Sequence, residues 1–211
     1  MELTVFGASG GTGRLVVEQA LAAGHTVTAV VRDPARLRLA PRDGLRVAVA
    51  TFADRAAVLS AVTGADAVVD ALGGSGNGPT TVRVDASRVI VPAMQEAGVR
   101  RLVVVSASGA HTTGDGLLVR LLVKPLLGYV LRHGFADMRA MEEIVRASGL
   151  DWTIVLPPRL TDGPSTGRFR SRVGANVRGS FSIRRADLAD AVLRAVSDDR
   201  LRQAALSVAA G

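Results

Sequence analysis

No cysteine occurs in the chain, which rules out a disulfide framework and any thiolate chemistry. Lysine is almost missing, since all but one of the 26 basic residues are arginine. The single tyrosine, Tyr129, has His133 four residues on, so the acid–base pair Tyr-x-x-x-Lys is absent. No long hydrophobic run is present either. The most apolar stretch, Gly116 to Arg132, is interrupted by Arg120, Lys124 and Pro125 and is too short and too charged to cross a bilayer. Met1 leads directly into an apolar segment without the basic and hydrophobic regions of a secretory signal, so the cytoplasm is the expected compartment. Internal repeats, low-complexity tracts and domain boundaries are not visible.

What remains is a chain of 211 residues, 48% hydrophobic, long enough for one folded domain with a full core. Its formal charge of +7 invites a nucleic-acid partner. However, the arginines are spread along most of the sequence, whereas a binding footprint needs them clustered on one face. A solvated arginine surface is expected instead, and no nucleic acid.

The informative stretch is Thr4 to Arg14, Thr-Val-Phe-Gly-Ala-Ser-Gly-Gly-Thr-Gly-Arg. An apolar run enters it and an amphipathic segment, Leu15 to Leu21, leaves it, which reads as strand, tight turn and helix. The spacing Gly7-x-x-Gly10-x-x-Gly13 lets the backbone come close to a pyrophosphate, which the helix N-terminus would then face. A glycine turn serving only as punctuation is the alternative.

Further strands are expected at Thr26–Val31, Leu45–Ala50, Ala67–Leu72, Arg101–Ser106, Trp152–Leu156 and Ala204–Ala209. Helices are expected from the Asp54 cap through Val62, over Thr80–Ala97, over Phe135–Ser148 and over Asp187–Val196. This alternation predicts an α/β fold of one domain over 1–211: a right-handed, doubly wound parallel sheet of Rossmann type in a three-layer αβα arrangement. A small substrate-side region would come from 111–135 and 160–185. The 117–131 segment suits a lid over an apolar substrate, an oligomer contact or plain core. Arg168, Arg170, Arg172, Arg178, Arg184 and Arg185 read as the solvated face of a hairpin, with reception of an acidic substrate as the alternative.

In a dinucleotide site the second strand delivers a residue to the adenosine ribose, usually an acid. Here Arg32 stands there with Arg36 one turn later, and guanidinium groups pair well with a 2′-phosphate. NADP is therefore favoured over NAD, the alternative being that Arg32 is only a solvated strand end. No metal is expected. Ser106 and Ser108 close the fifth strand at its carboxyl end, where open α/β sheets hold ligands.

With these residues in view, the chain resembles the atypical short-chain dehydrogenase/reductase group. More closely it resembles the NAD(P)H-binding family that includes biliverdin-IXβ/flavin reductase and the NmrA-like proteins. The matching segments are Val5–Arg14, Val30–Arg36, Gly64–Val68, Leu156–Pro158 and Asp162–Gly167, which span nearly the whole chain. The resemblance implies that Gly7, Ala8, Ser9, Gly10, Gly11, Thr12, Gly13 and Arg14 hold the pyrophosphate and that Arg32 and Arg36 hold the 2′-phosphate. It places Thr51, Phe52 and Asp54 at the adenine, and Leu72 and Gly73 beside the nicotinamide ribose. Ser106 to Ser108, Leu156, Pro157 and Pro158 would border the nicotinamide. Thr51 stands where relatives commonly carry Asp, and Arg159 where the flavin-reducing relative has His.

Without the Tyr-Lys pair, reduction of a simple ketone has no obvious proton donor. A flavin, quinone or linear tetrapyrrole delocalises the added charge and takes its proton from water. The expected function is hydride transfer from NADPH to such an acceptor, an apolar or conjugated small molecule, with Ser106 or Ser108 orienting it and Arg159 meeting an anionic group. The alternative is a non-catalytic NADP(H) sensor of NmrA-like type, for which a homo-oligomer or protein partner would read the bound state.

Overall fold

The computed structural model describes residues 1–73, 78–111, 113 and 132–211. The apolar 117–131 segment, Tyr129 and most of the 73–78 glycine loop fall outside them. Ten strands are described: β1 (Glu2–Phe6), β2 (Thr26–Val31), β3 (Leu45–Val49), β4 (Ala67–Asp70), β5 (Arg101–Val105), β6 (Asp151–Leu156), β7 (Arg159–Thr161), β8 (Phe169–Val173), β9 (Ser182–Arg184) and β10 (Ala204–Ala210). The helices among the described residues are α1 (Gly11–Ala22), α2 (Arg55–Val62), α3 (Val82–Glu96), α4 (Arg132–Ala147) and α5 (Arg185–Ser197). None of these is long and apolar enough to cross a membrane.

The main sheet runs β3-β2-β1-β4-β5-β6-β10-β8, parallel except for β8, which joins β10 antiparallel. Its central strands read as near-continuous Val, Leu and Ile because helices cover both faces. Leu3 and Val5 turn to the face under α1 and α5, packing with Val16, Val17, Leu188 and Val192. Phe6, Val68, Leu102 and Ile154 turn to the other, against Val58, Ile90, Met94, Met141 and Val145 of α2, α3 and α4. The result is the three-layer, Rossmann-type α/β fold that the alternation predicts.

Several arginines serve this frame. Arg101 is buried and donates to the carbonyl oxygens of Ala195 and Val196 and to the Thr153 hydroxyl, closing the last turn of α5. Burial, and the nearby Arg202, push its pKa below the ordinary arginine value.

The 163–185 stretch does not form the expected hairpin. β8 sits on the edge of the main sheet, and β9 pairs in parallel with β7 in a separate two-stranded sheet. The arginines of β8 thus line an open edge, where charge discourages pairing with another chain. Sequence reasoning missed β7 and β9 because three residues give too little periodicity to read.

Candidate functional site

The strand order reverses between β1 and β4, and their carboxyl ends open the crevice where sheets of this kind take ligands. Gly7 follows β1 with φ of 76°. A Cβ on it would lie 2.7 Å from the Ala71 carbonyl oxygen, just after β4. The Gly10 amide donates to the Gly7 carbonyl at 2.9 Å and closes the turn. Gly13 packs so tightly on that same carbonyl that any side chain would overlap it.

α1 starts at Gly11 with Gly10 as its N-cap, no side-chain cap and no acidic residue in its first turn. The amides of Gly11, Thr12 and Gly13 precede any carbonyl four residues back, so the helix itself cannot satisfy them. These donors, together with the uncompensated positive end of the helix dipole, suit an anion. A cradle from which side chains are excluded and in which amides converge fits a dinucleotide pyrophosphate. Arg14, expected to share that role, is paired with Glu18. At the end of β2, the Arg32 and Arg36 side chains are exposed and make no hydrogen bond or ion pair among the described residues. Asp33 is turned away from them by capping the Pro34–Arg36 turn through the Ala35 amide.

Across the crevice, Ser106 is buried and donates its hydroxyl to Glu142 Oε1 at 2.6 Å. His111 Nε2 lies 2.9 Å from the same oxygen, and Arg146 donates to Oε2 at 3.1 Å. Glu142, on α4, is only 3% exposed. Burial alone would push its carboxyl up, but the hydrogen bonds from His111 and Ser106, the electrostatic pull of His111 and the Arg146 bond outweigh that. The carboxyl is held below its ordinary range and stays ionised. His111 and Arg146 also border a cavity of about 390 Å³, shared with Leu156 and Asn176. A larger cavity of about 740 Å³ lies between β8 and α5, where Arg194 and Arg200 are already paired with Asp190 and Asp198. Neither cavity is lined by a residue of the glycine turn.

Asp70 ends β4 beneath the crevice, accepting the Leu72 amide at 2.9 Å. Burial raises its pKa to about 6, against the pull of that amide and of Arg83 and with a further push from Asp137. An acid whose folded pKa lies above its unfolded one binds its proton more tightly when folded. Stability therefore falls as pH rises from about 4 to about 6, by on the order of 3 kcal/mol, and the deficit persists above. Asp70→Asn is expected to raise the urea midpoint at pH 7.5 and to flatten this slope. Equal pH dependence in parent and variant would refute the assignment.

A model of the NAD(P)H-binding family matches residues 7–199. The chain belongs to this family. It is 28% identical over 201 residues to the uncharacterised Bacillus subtilis protein YwnB, covering 92% of this chain and 91% of that one. A Veillonella parvula short-chain dehydrogenase/reductase solved in complex with NADP superposes with a TM-score of 0.79 over 99% of this chain and 94% of that chain, at 18% identity. ChuY, described as an anaerobillin reductase from Escherichia coli O157:H7, superposes with a TM-score of 0.77 at 25% identity, over 100% of this chain and 97% of that chain.

In this member of the NAD(P)H-binding family, the residues singled out from sequence gather on one edge because the strands that carry them are parallel. Leu72 and Gly73 adjoin the turn, the Leu72 nitrogen being 2.9 Å from where a Gly7 Cβ would be. Phe52, half-buried after Thr51, sets its ring 6.2 Å from that of Phe6. Asp54 spends its carboxylate on the Ala57 amide, capping α2 at 3.0 Å. Pro157 accepts the Ser108 amide at 2.8 Å, tying the ends of β5 and β6 together beside Leu156 and Pro158. Arg159, by contrast, starts β7 with an exposed side chain that makes no hydrogen bond or ion pair among the described residues. Glu142, His111, Asp70 and Arg185 were not singled out for the site, although a carboxylate within the apolar run 67–72 is a readable signal for Asp70.

Proposed function

We propose that the chain is an NADPH-dependent oxidoreductase that delivers hydride to a conjugated acceptor: a flavin, a quinone or a linear tetrapyrrole. The observation that carries this reading is the pairing of an anion cradle at α1 with a buried, carboxylate-held hydroxyl at Ser106, on the same sheet edge. NADPH, when bound, supplies the hydride. The amides at the start of α1 hold its pyrophosphate, and Arg32 and Arg36 pair with its 2′-phosphate. Ser106 is fixed by its bond to Glu142, so its oxygen is left as an acceptor of defined direction. His111 shares that carboxylate and borders the adjoining cavity, where it can orient a polar edge of the acceptor. The reductase likeness of ChuY supports the acceptor class, and the NADP complex of the Veillonella neighbour supports the cofactor.

The test is loss of NADPH absorbance with FMN, FAD, biliverdin and quinones as acceptors. Turnover with one of them is expected. NADP(H) uptake without any turnover would replace this reading with that of a sensor. For the cofactor, calorimetric titration of NADPH and NADH is expected to favour NADPH by roughly 10- to 100-fold, the range of one or two charge-assisted bonds. Arg32→Ala is expected to lose most of that preference, and equal affinities in the parent would sink the 2′-phosphate assignment.

A further inference from the structure

The cradle at Gly11 has one more neighbour, from a distant part of the sequence. The Arg185 side chain crosses the open face of Gly11, its Cδ and Nε both 3.1 Å from where a Cβ would stand. Its guanidinium pairs through Nη1 with Asp162 Oδ1 at 2.5 Å. The fold explains this meeting. Thr161 and Arg184 are the last register pair of β7 and β9, so Asp162 and Arg185 are the next residues beyond the two strands. The neighbours on either side hold the arrangement still. Arg184 donates to the Pro164 carbonyl, and buried Asp187 accepts from the amides of Thr166 and Gly167 and from the Ser165 and Thr166 hydroxyls.

Helix stability does not account for Arg185. It is the first residue of α5, where a cation opposes the helix dipole. Asp162, its partner, is 91% exposed, so the pair gains little in water and exchanges readily. A pyrophosphate beside it carries more charge and offers the guanidinium two oxygens at once.

We propose that Arg185 is a phosphate ligand of the dinucleotide, parked over the glycine turn by Asp162, and that binding transfers its guanidinium from the carboxylate to the pyrophosphate. Asp162 is thereby a competitor that lowers affinity, and Gly11 lacks a side chain so that Arg185 can reach the cradle from a distant part of the sequence. The inference rests on the dinucleotide reading given above.

Calorimetry with NADP⁺ on the full chain tests it. Arg185→Gln is expected to weaken binding about 10-fold, and Asp162→Asn to tighten it about 3- to 10-fold by releasing the guanidinium. The double variant should bind like Arg185→Gln alone, since without the arginine there is nothing for Asp162 to hold. Adenosine 2′,5′-bisphosphate, which has no pyrophosphate, should respond much less to either change. Melting temperatures of the variants within about 2 °C of the parent exclude a folding effect. If the parent takes up no NADP⁺, the dinucleotide reading fails with this one. If the parent binds and Arg185→Gln binds equally well, or Asp162→Asn binds no better than the parent, this inference alone is overturned.

Discussion

Gly13→Ala is expected to abolish dinucleotide uptake and to lower the melting temperature by roughly 6–12 °C, reversing the usual sign of such a change. In an ordinary helix interior, alanine in place of glycine stabilises by about 1 kcal/mol. Here the added Cβ meets the Gly7 carbonyl head-on and comes within 3.2 Å of the Ala8 Cα, so no flexible side chain can give way. Gly7 cannot retreat either, because the Gly10 amide and the close approach to Ala71 fix it. α1 must move off β1, and Val16, Val17 and Ala20, each fully buried, then lose contact with Leu3 and Val5. Overpacking of this sort costs about 3 kcal/mol, and each kcal/mol is worth about 2–4 °C in a domain of this size. The same displacement carries the three amides of the first turn away from their common focus, which is why binding and stability fail together. Thermal melts and NADP⁺ calorimetry on one preparation measure both; a variant that melts higher and still binds would show that the Gly13 contact does not matter.

The frame of the molecule was legible because its central strands are apolar and separated by helical segments with sequence signals of their own. Asp54, for instance, announces α2 by its position and does cap it. The glycine turn was legible for a different reason, since three glycines at that spacing have few other uses. Glu142 was not legible. It stands beside Glu143 in an amphipathic helix, and only packing shows that one of the two faces Ser106 while the other faces solvent. Arg185 was hidden in the same way among six arginines between Gly163 and Ala186, because which of them reaches the cradle depends on the pairing of two three-residue strands. What was missed is therefore what needs contacts between distant parts of the chain: local periodicity fixes elements, whereas the register between elements picks the residues that meet. The parallel order of the sheet explains why the sequence-level assignments for β1, β2, β4, β5 and β6 nevertheless share one edge.

Glu142→Gln is expected to reduce turnover with the best acceptor roughly 100-fold while leaving NADPH affinity within about twofold of the parent. The substitution keeps the shape of the side chain but replaces a carboxylate that accepts from Ser106, His111 and Arg146 with an amide that can accept only at one end. Its –NH₂ then confronts either Arg146 or the Ser106–His111 pair, so at least one donor turns away and the Ser106 oxygen loses its fixed direction. The same loss should destabilise the chain by about 2–3 kcal/mol at pH 7, the usual penalty for buried donors left unpaired around a lost charge. The pH dependence separates this from simple misfolding. Glu142 has a folded pKa below its ordinary value of 4.5, so its contribution is fully present above that value and fades as the pH falls through the folded one. Urea midpoints of parent and variant should therefore stay fully apart above pH 4.5 and converge only as the pH falls through the folded Glu142 pKa, which lies below that value. A positioning role also predicts that the acid limb of the turnover profile shifts or disappears in the variant, because the carboxylate that holds Ser106 and ionises on that limb is gone. If stability falls while turnover per folded molecule and its pH profile stay unchanged, Glu142 only holds α4 against β5, and Ser106 has no part in the chemistry.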